Sequence, residues 1–265
     1  TAHKIAPAIA AGNPIVLKPA TKTPLSAITL ADIVVNAGLP PEAISVLPMA
    51  RKTGDRLVTD ERFKLLTFTG SSAVGWDMKA RAGKKRVILE LGGNAAVIVD
   101  ASADLDLAAG RVAAGGFAFA GQSCISVQRV YVHADVFDEF ATRLVKLVAG
   151  LKVGDPMDPS TDLGPMIDEG EAERVDAWVH EAVTSGARVL TGGKRLGGPL
   201  YAPTVLSGVP RDARVCAEEV FAPVVGLFKV TNFDDALAEV NDSTYGLQAG
   251  VFTADLEHTM RAFDT

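Results

Sequence analysis

The sequence predicts an α/β protein of two domains, with short apolar strands alternating with helix-length segments and pairing in parallel. Three observations carry that expectation. Short runs rich in Val, Ile and Leu recur between segments of helical spacing, the order that parallel strands with crossover helices require. Aromatic residues make up only 6% while glycine is abundant, and small side chains let helices pack closely on sheets. At 265 residues, 48% hydrophobic and 22% charged, the chain has apolar material for one large core or two smaller ones.

Taken in order, "PIVL" at 14–17 reads as a strand that Lys18-Pro19 stops, because proline fixes φ and removes a donor. "TPLSAITLADIVVNAG" follows with apolar residues at helical spacing and closes on Gly38, a C-terminal cap before Leu39-Pro40-Pro41. "AISVLP" at 43–48 and "LLTFTG" at 65–70 are the next strands, separated by a helix-length piece around Gly54 to Asp60. "RVILELGG" at 86–93 is a strand broken by two glycines, and "AAVIVD" resumes an extended pattern at once, which places a domain boundary near residue 92. "ADLDLAAGRVAAGGFAFAG" is helical, with too much glycine to be only a surface helix, and it delivers the chain to Cys124. Strand "RVYVH", helix "DVFDEFATRLVKLVAGL", turn-rich "VGDPMDPSTDLGP", helix "EAERVDAWVHEAVTSGA" and strand "RVL" continue the second α/β unit. "GGKRLGGPLYAPTVL", strand "VFAPVVGLFKV" and helix "FDDALAEVN" complete it.

Several classes of function are disfavoured. The net charge of -6 leaves no broad basic field for nucleic acid, and "KARAGKKRV" at 79–87 reads as a solvated turn leading into a strand. No stretch reaches the roughly 20 apolar residues that span a bilayer, and no signal segment opens the chain, so no membrane partner and a cytoplasmic location are expected. Cys124 and Cys216 could form one bridge at most, and a chain with a full core does not need it. His3, His133, His180 and His258 lie far apart without ligand spacing, so no metal site is expected, and His133 falls at a strand end. The serine-hydrolase elbow and the dinucleotide G-x-G-x-x-G are absent, and Trp76 stands where a phosphate loop would carry its lysine.

What chemistry remains gathers on a few positions. "FTGSSAVG" runs a strand into glycine and serine at a helix start, where free N–H groups attract anions, although an ordinary junction capped by Ser71 has the same pattern. A cysteine among apolar residues is usually a small packed hydrophobe, and Cys216 is read that way. Cys124 is open to either role. Glu90 weighs toward a function, because a carboxylate inside an apolar strand is costly unless it has a partner or a task.

"LELGGN" with Glu90, then "GQSC" with Cys124, together with "VLKPAT", "FTGS", "EEVFAPV" and "NDSTYGLQAGVFT", resembles the aldehyde dehydrogenase superfamily in order and spacing along the whole chain. The resemblance implies an aldehyde dehydrogenase-like fold: an incomplete parallel-sheet, Rossmann-like cofactor domain over 1–91 and an α/β catalytic domain over 92–265. It implies that Cys124 is the nucleophile toward a small aldehyde and that Glu90 activates the water that hydrolyses the thioester, the hydrolytic rather than the CoA-acylating branch. It implies cofactor contacts from Lys18 (adenosine ribose), Gly70 and Ser71 (pyrophosphate), Leu91 and Gly92, Glu219 (nicotinamide ribose) and Phe221 beside it. The cofactor is NAD or NADP: where many NAD-preferring relatives carry a glutamate, this chain has Thr21, so NADP is expected to be accepted. A homo-oligomer is implied for the full-length protein.

Three departures accompany the resemblance. The family asparagine that assists the oxyanion would fall before Thr1, the family continues beyond residue 265, and "LPMARKTGD" keeps Gly54 but has Arg51 near the place of an earlier glycine. The expectation is a chain truncated at both ends, and its alternative is a catalytically inactive core that binds nucleotide or a partner chain.

Overall fold

Glycine and proline cut the early chain into short pieces. The computed structural model describes residues 1–265 and divides into two units, Thr1–Leu91 and Gly92–Thr265. In the first, helix α1 (Ala2–Ala10) turns through Gly12, at φ +69°, into strand β1 (Ile15–Leu17). Helix α2 (Leu25–Asn36) ends before Gly38, at φ +105°, and strand β2 (Ile44–Val46) pairs parallel to β1. The single helical piece expected near Gly54 to Asp60 is instead two single turns, α3 (Arg51–Gly54) and α4 (Arg56–Thr59), separated at Asp55 directly after Gly54, two poor helix formers in a row. Strand β3 (Leu65–Thr69), helix α5 (Ser72–Arg81) and strand β4 (Arg86–Glu90) follow, with β4 parallel to β3 and Thr69 opposite Glu90. The basic stretch across the α5–β4 turn is solvated, and Arg81 pairs with Asp55 and Asp77 at 2.7 Å each.

The second unit contains β5 (Ala95–Val99), α6 (Leu105–Phe117), β6 (Val127–His133), α7 (Phe137–Ala149), α8 (Glu169–Thr184), β7 (Arg188–Thr191), the hairpin β8 (Arg195–Gly197) and β9 (Leu200–Tyr201), and β10 (Thr204–Ser207). The single turn α9 (Arg214–Ala217), β11 (Val224–Val230), α10 (Phe233–Asn241), β12 (Ala249–Phe252) and α11 (Leu256–Asp264) complete it. Six strands form one sheet in the order β12-β5-β6-β11-β10-β7, every pair parallel except β10 with β7.

Strand periodicity explains how this sheet fills two cores. Val97 and Val99 of β5 and Val130 and Val132 of β6 point to the face covered by α6 and α7. Ala96, Ile98 and Tyr131 point to the other face, against Phe233 and Ala236 of α10. All five residues of β5 are buried, as a central parallel strand covered on both sides must be. The glycine content of α6 has a packing cause: a Cβ on Gly116 would lie 2.6 Å from Val225 of β11, and one on Gly115 would lie 2.9 Å from Val127 of β6.

Helix α6 stops at Phe117 instead of running to Gly121 as its spacing suggests, because Phe119, Ala120 and Gly121 take left-handed φ of 53°, 56° and 67°. Helices α1 and α11 were not expected from the pattern. His133 ends β6, and Cys216 is buried in the core. No helix is long and apolar enough to cross a membrane.

Candidate active site

The second unit's chemistry gathers around a glycine pair. Gly93 N–H donates to Glu219 Oε1 at 2.9 Å, and a Cβ on Gly93 would overlap the backbone carbonyl of Cys124. A Cβ on Gly92 would overlap the Glu219 carboxylate. Residues remote in sequence therefore meet where two consecutive positions lack side chains.

Cys124 is a free, half-buried thiol in the loop between α6 and β6. The loop reaches it through Phe119 and Ala120 in left-handed conformations, each costing about 1–3 kcal/mol in a non-glycine residue. Surrounding structure holds that strain. A Cβ on Gly121 would overlap the Ala222 carbonyl, Gln122 Oε1 accepts from Ile167 N at 2.8 Å, and Ser126 Oγ donates to Gly116 O at 3.3 Å. Ser123 and Ile125, flanking Cys124, line a groove of about 350 Å³ together with Ala118, Phe119, Arg111 and Gln248.

Glu219 is half-buried, and burial pushes its carboxyl above the usual range against the opposing pull of Gly93 N–H and the Arg174 charge. Phe221 is exposed at φ 51°, and buried Cys216, whose thiol burial pushes up, packs as expected.

In the first unit, Lys18 lays its stem over Gly54, where a Cβ would lie 2.6 Å from Cδ. Its ammonium donates to Pro19 O at 3.0 Å and approaches Thr21 Oγ1 at 3.5 Å, so the two residues share one spot. Gly70 N–H donates to Glu90 O at 3.0 Å, and a Cβ on Gly70 would overlap the Phe68 ring. Ser71 occupies the N-cap position of α5, but its hydroxyl makes no capping bond, contrary to the expected cap. The first-turn N–H groups of α5 are thus left without that acceptor. Leu91 packs against Gly75 of α5.

Glu90 is not buried in its strand as its apolar neighbours suggest. It is the last residue of β4 and lies exposed on the face shared with Arg86 and Ile88, while Leu89 turns toward Gly75 of α5. Its carboxylate is therefore not sunk in an apolar strand, since a period of two sends alternate residues to opposite faces. Lys4 lies within electrostatic reach of Glu90. From α1 its ammonium donates to Thr67 Oγ1 at 2.8 Å, and burial lowers its pKa while the Glu90 charge opposes that shift. Only its helical neighbours surround Lys4 in the sequence, so no local signal marks it.

A sequence model of the Aldehyde dehydrogenase family matches residues 1–265. The chain is 47% identical over 261 residues to 3-sulfolactaldehyde dehydrogenase of Priestia megaterium, covering 98% of this chain and 54% of that protein. It is similar in structure to aldehyde dehydrogenase 21 of Physcomitrella patens in complex with the reaction product succinate, at 51% identity and a TM-score of 0.96 over 99% of this chain and 55% of that one. Glyceraldehyde-3-phosphate dehydrogenase GapN of Methanocaldococcus jannaschii, complexed with NADP, superposes at 40% identity and a TM-score of 0.94 over 99% of this chain and 58% of that one. The chain spans about half the length of the relatives it matches. Matched from its first residue to its last, and sharing the parallel α/β fold of these structures, the chain belongs to the aldehyde dehydrogenase family.

Proposed function

We propose that the chain carries the reacting core of an NAD(P)-dependent aldehyde dehydrogenase of the hydrolytic type, with Cys124 as nucleophile and Glu90 as base. The observation that carries this reading is the meeting of Gly93, the Cys124 carbonyl and the Glu219 carboxylate, reached through a strained loop. Such strain clusters where side chains must be aimed at a reaction. Glu90 lies three residues before Gly93 in the chain.

The residues present fit a dinucleotide. Lys18 and Thr21 offer a cation and a neutral hydroxyl at one spot, suited to a ribose and tolerant of a 2′-phosphate, so NADP as well as NAD is accepted. The uncapped start of α5 at Ser71, after Gly70, offers N–H groups to a pyrophosphate. Leu91 leads into Gly92, which leaves the Glu219 carboxylate uncovered toward a ribose, and Phe221, two residues along the chain, offers an exposed aromatic ring. When bound, the nicotinamide supplies a hydride acceptor.

In this reading the Cys124 thiolate adds to the aldehyde carbonyl carbon, a C–S bond forming as the C=O π bond breaks and its electron pair moves to oxygen, to give a thiohemiacetal alkoxide. Loss of hydride from that carbon leaves a thioester on Cys124. Glu90 takes a proton from water, the water oxygen adds to the thioester, the C–S bond breaks, and the carboxylic acid leaves with Cys124 again a thiolate. The groove beside Ser123 and Ile125 takes the rest of the aldehyde.

A second reading, a core that binds nucleotide or a partner chain without turnover, is favoured by the exposed apolar residues of the first unit, Leu65 at 49% and Ile88 at 51%. Purified chain mixed with a short aldehyde and NADP+, followed by the absorbance of reduced nicotinamide, separates the two. Turnover lost in Cys124→Ala, and a single burst followed by a stall in Glu90→Gln, are expected. Nucleotide binding without turnover supports the second reading, and a CoA-dependent acyl product removes the role given to Glu90.

A further inference from the structure

Gln128, the second residue of β6, is 5% exposed, and its side chain turns away from its own strand's ladder toward residues 215–220. Nε2 donates to Val215 O at 3.2 Å and to Glu218 O at 2.6 Å, while Oε1 accepts from Val220 N at 3.0 Å. One amide therefore holds the backbone on both sides of Glu219. Neighbouring groups hold the rest of the segment: Asn94 Nδ2 donates to Cys216 O at 2.7 Å, and Arg174 donates to Val220 O at 2.7 Å. Between these fixed points the Glu219 carboxylate reaches Gly93 N–H at 2.9 Å. Every other polar contact to Glu219 is weaker, Tyr245 Oη accepting from its N–H at 3.4 Å.

We propose that Gln128 is a positioning residue for the dinucleotide: by clamping the peptide groups that flank Glu219 it aims that carboxylate at Gly93 and the ribose beyond. The inference rests on the proposed function for its ligand, and on geometry within the second unit for its mechanism. An amide is the group that fits, because the site demands donors toward two carbonyls and an acceptor for one N–H from a single side chain. Alanine leaves three backbone groups unpaired, the Val215 carbonyl and the Val220 N–H buried and the Glu218 carbonyl part-buried. Glutamate keeps the acceptor but sets a carboxylate against two carbonyl oxygens, and protonation returns one donor.

The test uses the whole chain, free and with NADP+. In the free protein, Gln128→Ala is expected to speed hydrogen exchange at Val220 and Gly93 about tenfold or more while the β6–β11 ladder amides of Val130 and Leu227 keep their rates. By calorimetry, its Kd for NADP+ rises roughly ten- to hundredfold, the range for unpaired buried groups, whereas alkylation of Cys124 by iodoacetamide without nucleotide is unchanged. Gln128→Glu, of the same size, loses affinity near neutral pH and regains most of it in acid, each value taken relative to the unsubstituted chain at the same pH. Unchanged exchange at Gly93, or acceleration of all these amides together, overturns the clamp. If the unsubstituted chain binds no NADP+, the proposed function and the dinucleotide role fall together, while selective exchange at Gly93 and Val220 still distinguishes a working clamp from none.

Discussion

Gly93 is the residue on which the site's geometry turns. Its N–H serves Glu219 and its missing Cβ admits the Cys124 carbonyl, so any side chain there pushes against backbone that cannot give cheaply. Gly93→Ala is expected to destabilise the protein by roughly 1–3 kcal/mol, the usual cost of overpacking, and to slow alkylation of Cys124. Thermal unfolding and iodoacetamide labelling check both, and unchanged values would show that the glycine pair does not set the site's geometry. The sequence shows that two glycines break "RVILELGG", but not why. The reason lies at positions 124 and 219, and no local pattern carries it. The two cysteines differ for the same reason: Cys216 packs in the core with its carbonyl held by Asn94, whereas Cys124 sits in a strained loop whose Ser123 and Ile125 line a groove. Gln128 is the extreme case, because a glutamine in "SVQRVYV" looks like ordinary alternation until its partners near residue 218 are seen.

At the scale of elements, the corner joining β5, β12 and α11 is pinned by one carboxylate. Asp100 follows β5 and accepts from Thr253 Oγ1 at 2.7 Å and Ser102 Oγ at 3.0 Å, with His258 Nδ1 of α11 at 3.0 Å. His258 in turn stacks on Phe233 of α10 with ring centroids 4.2 Å apart. Burial pushes Asp100 up, but the hydrogen bonds from Thr253, His258 and Ser102 outweigh it and hold the carboxyl below its ordinary value. A depressed carboxyl contributes stability above the unfolded value of about 3.9, and that contribution is lost as pH falls below it toward the folded value. The melting temperature should therefore drop more steeply below about pH 4 in the unsubstituted chain than in Asp100→Asn, and parallel curves would refute the assignment. Most strands were legible from apolar runs, because β-branched residues bounded by glycine and proline leave few alternatives. The end of α6 was not, since the left-handed turn at Phe119 leads into Gly121 and Gln122, whose contacts at Ala222 and Ile167 lie far along the chain.

At the scale of the whole chain, the two units differ in how much they bury. The second fills both faces of a six-stranded sheet, while buried apolar residues in the first are few, among them Ile5, Ala27, Ile44 and Val58. Strands β3 and β4 carry Leu65, Leu66, Phe68, Val87, Ile88 and Leu89, yet each pairs with one neighbour, and Leu65 and Ile88 stay exposed. Two-stranded ribbons are marginal by themselves. Amides of β1 to β4 are accordingly expected to exchange well before those of β5, β6 and β11 under native conditions, as mass-spectrometric hydrogen exchange would read. Equal protection in both sets would show that burial does not set the order of opening.

The sequence by itself determined the α/β class, the parallel strands, the glycine break at 92–93 and the ordered motifs that match the family, because propensity, period and turn chemistry act between near neighbours. Only the tertiary structure decided that Glu219 binds Gly93, that the Cys124 carbonyl lies against the same glycine, that Lys18 rests on Gly54, and that Glu90 ends its strand on the exposed face. Those contacts join residues far apart in the chain, and their geometry exists only after helices and strands have packed and fixed the loops between them.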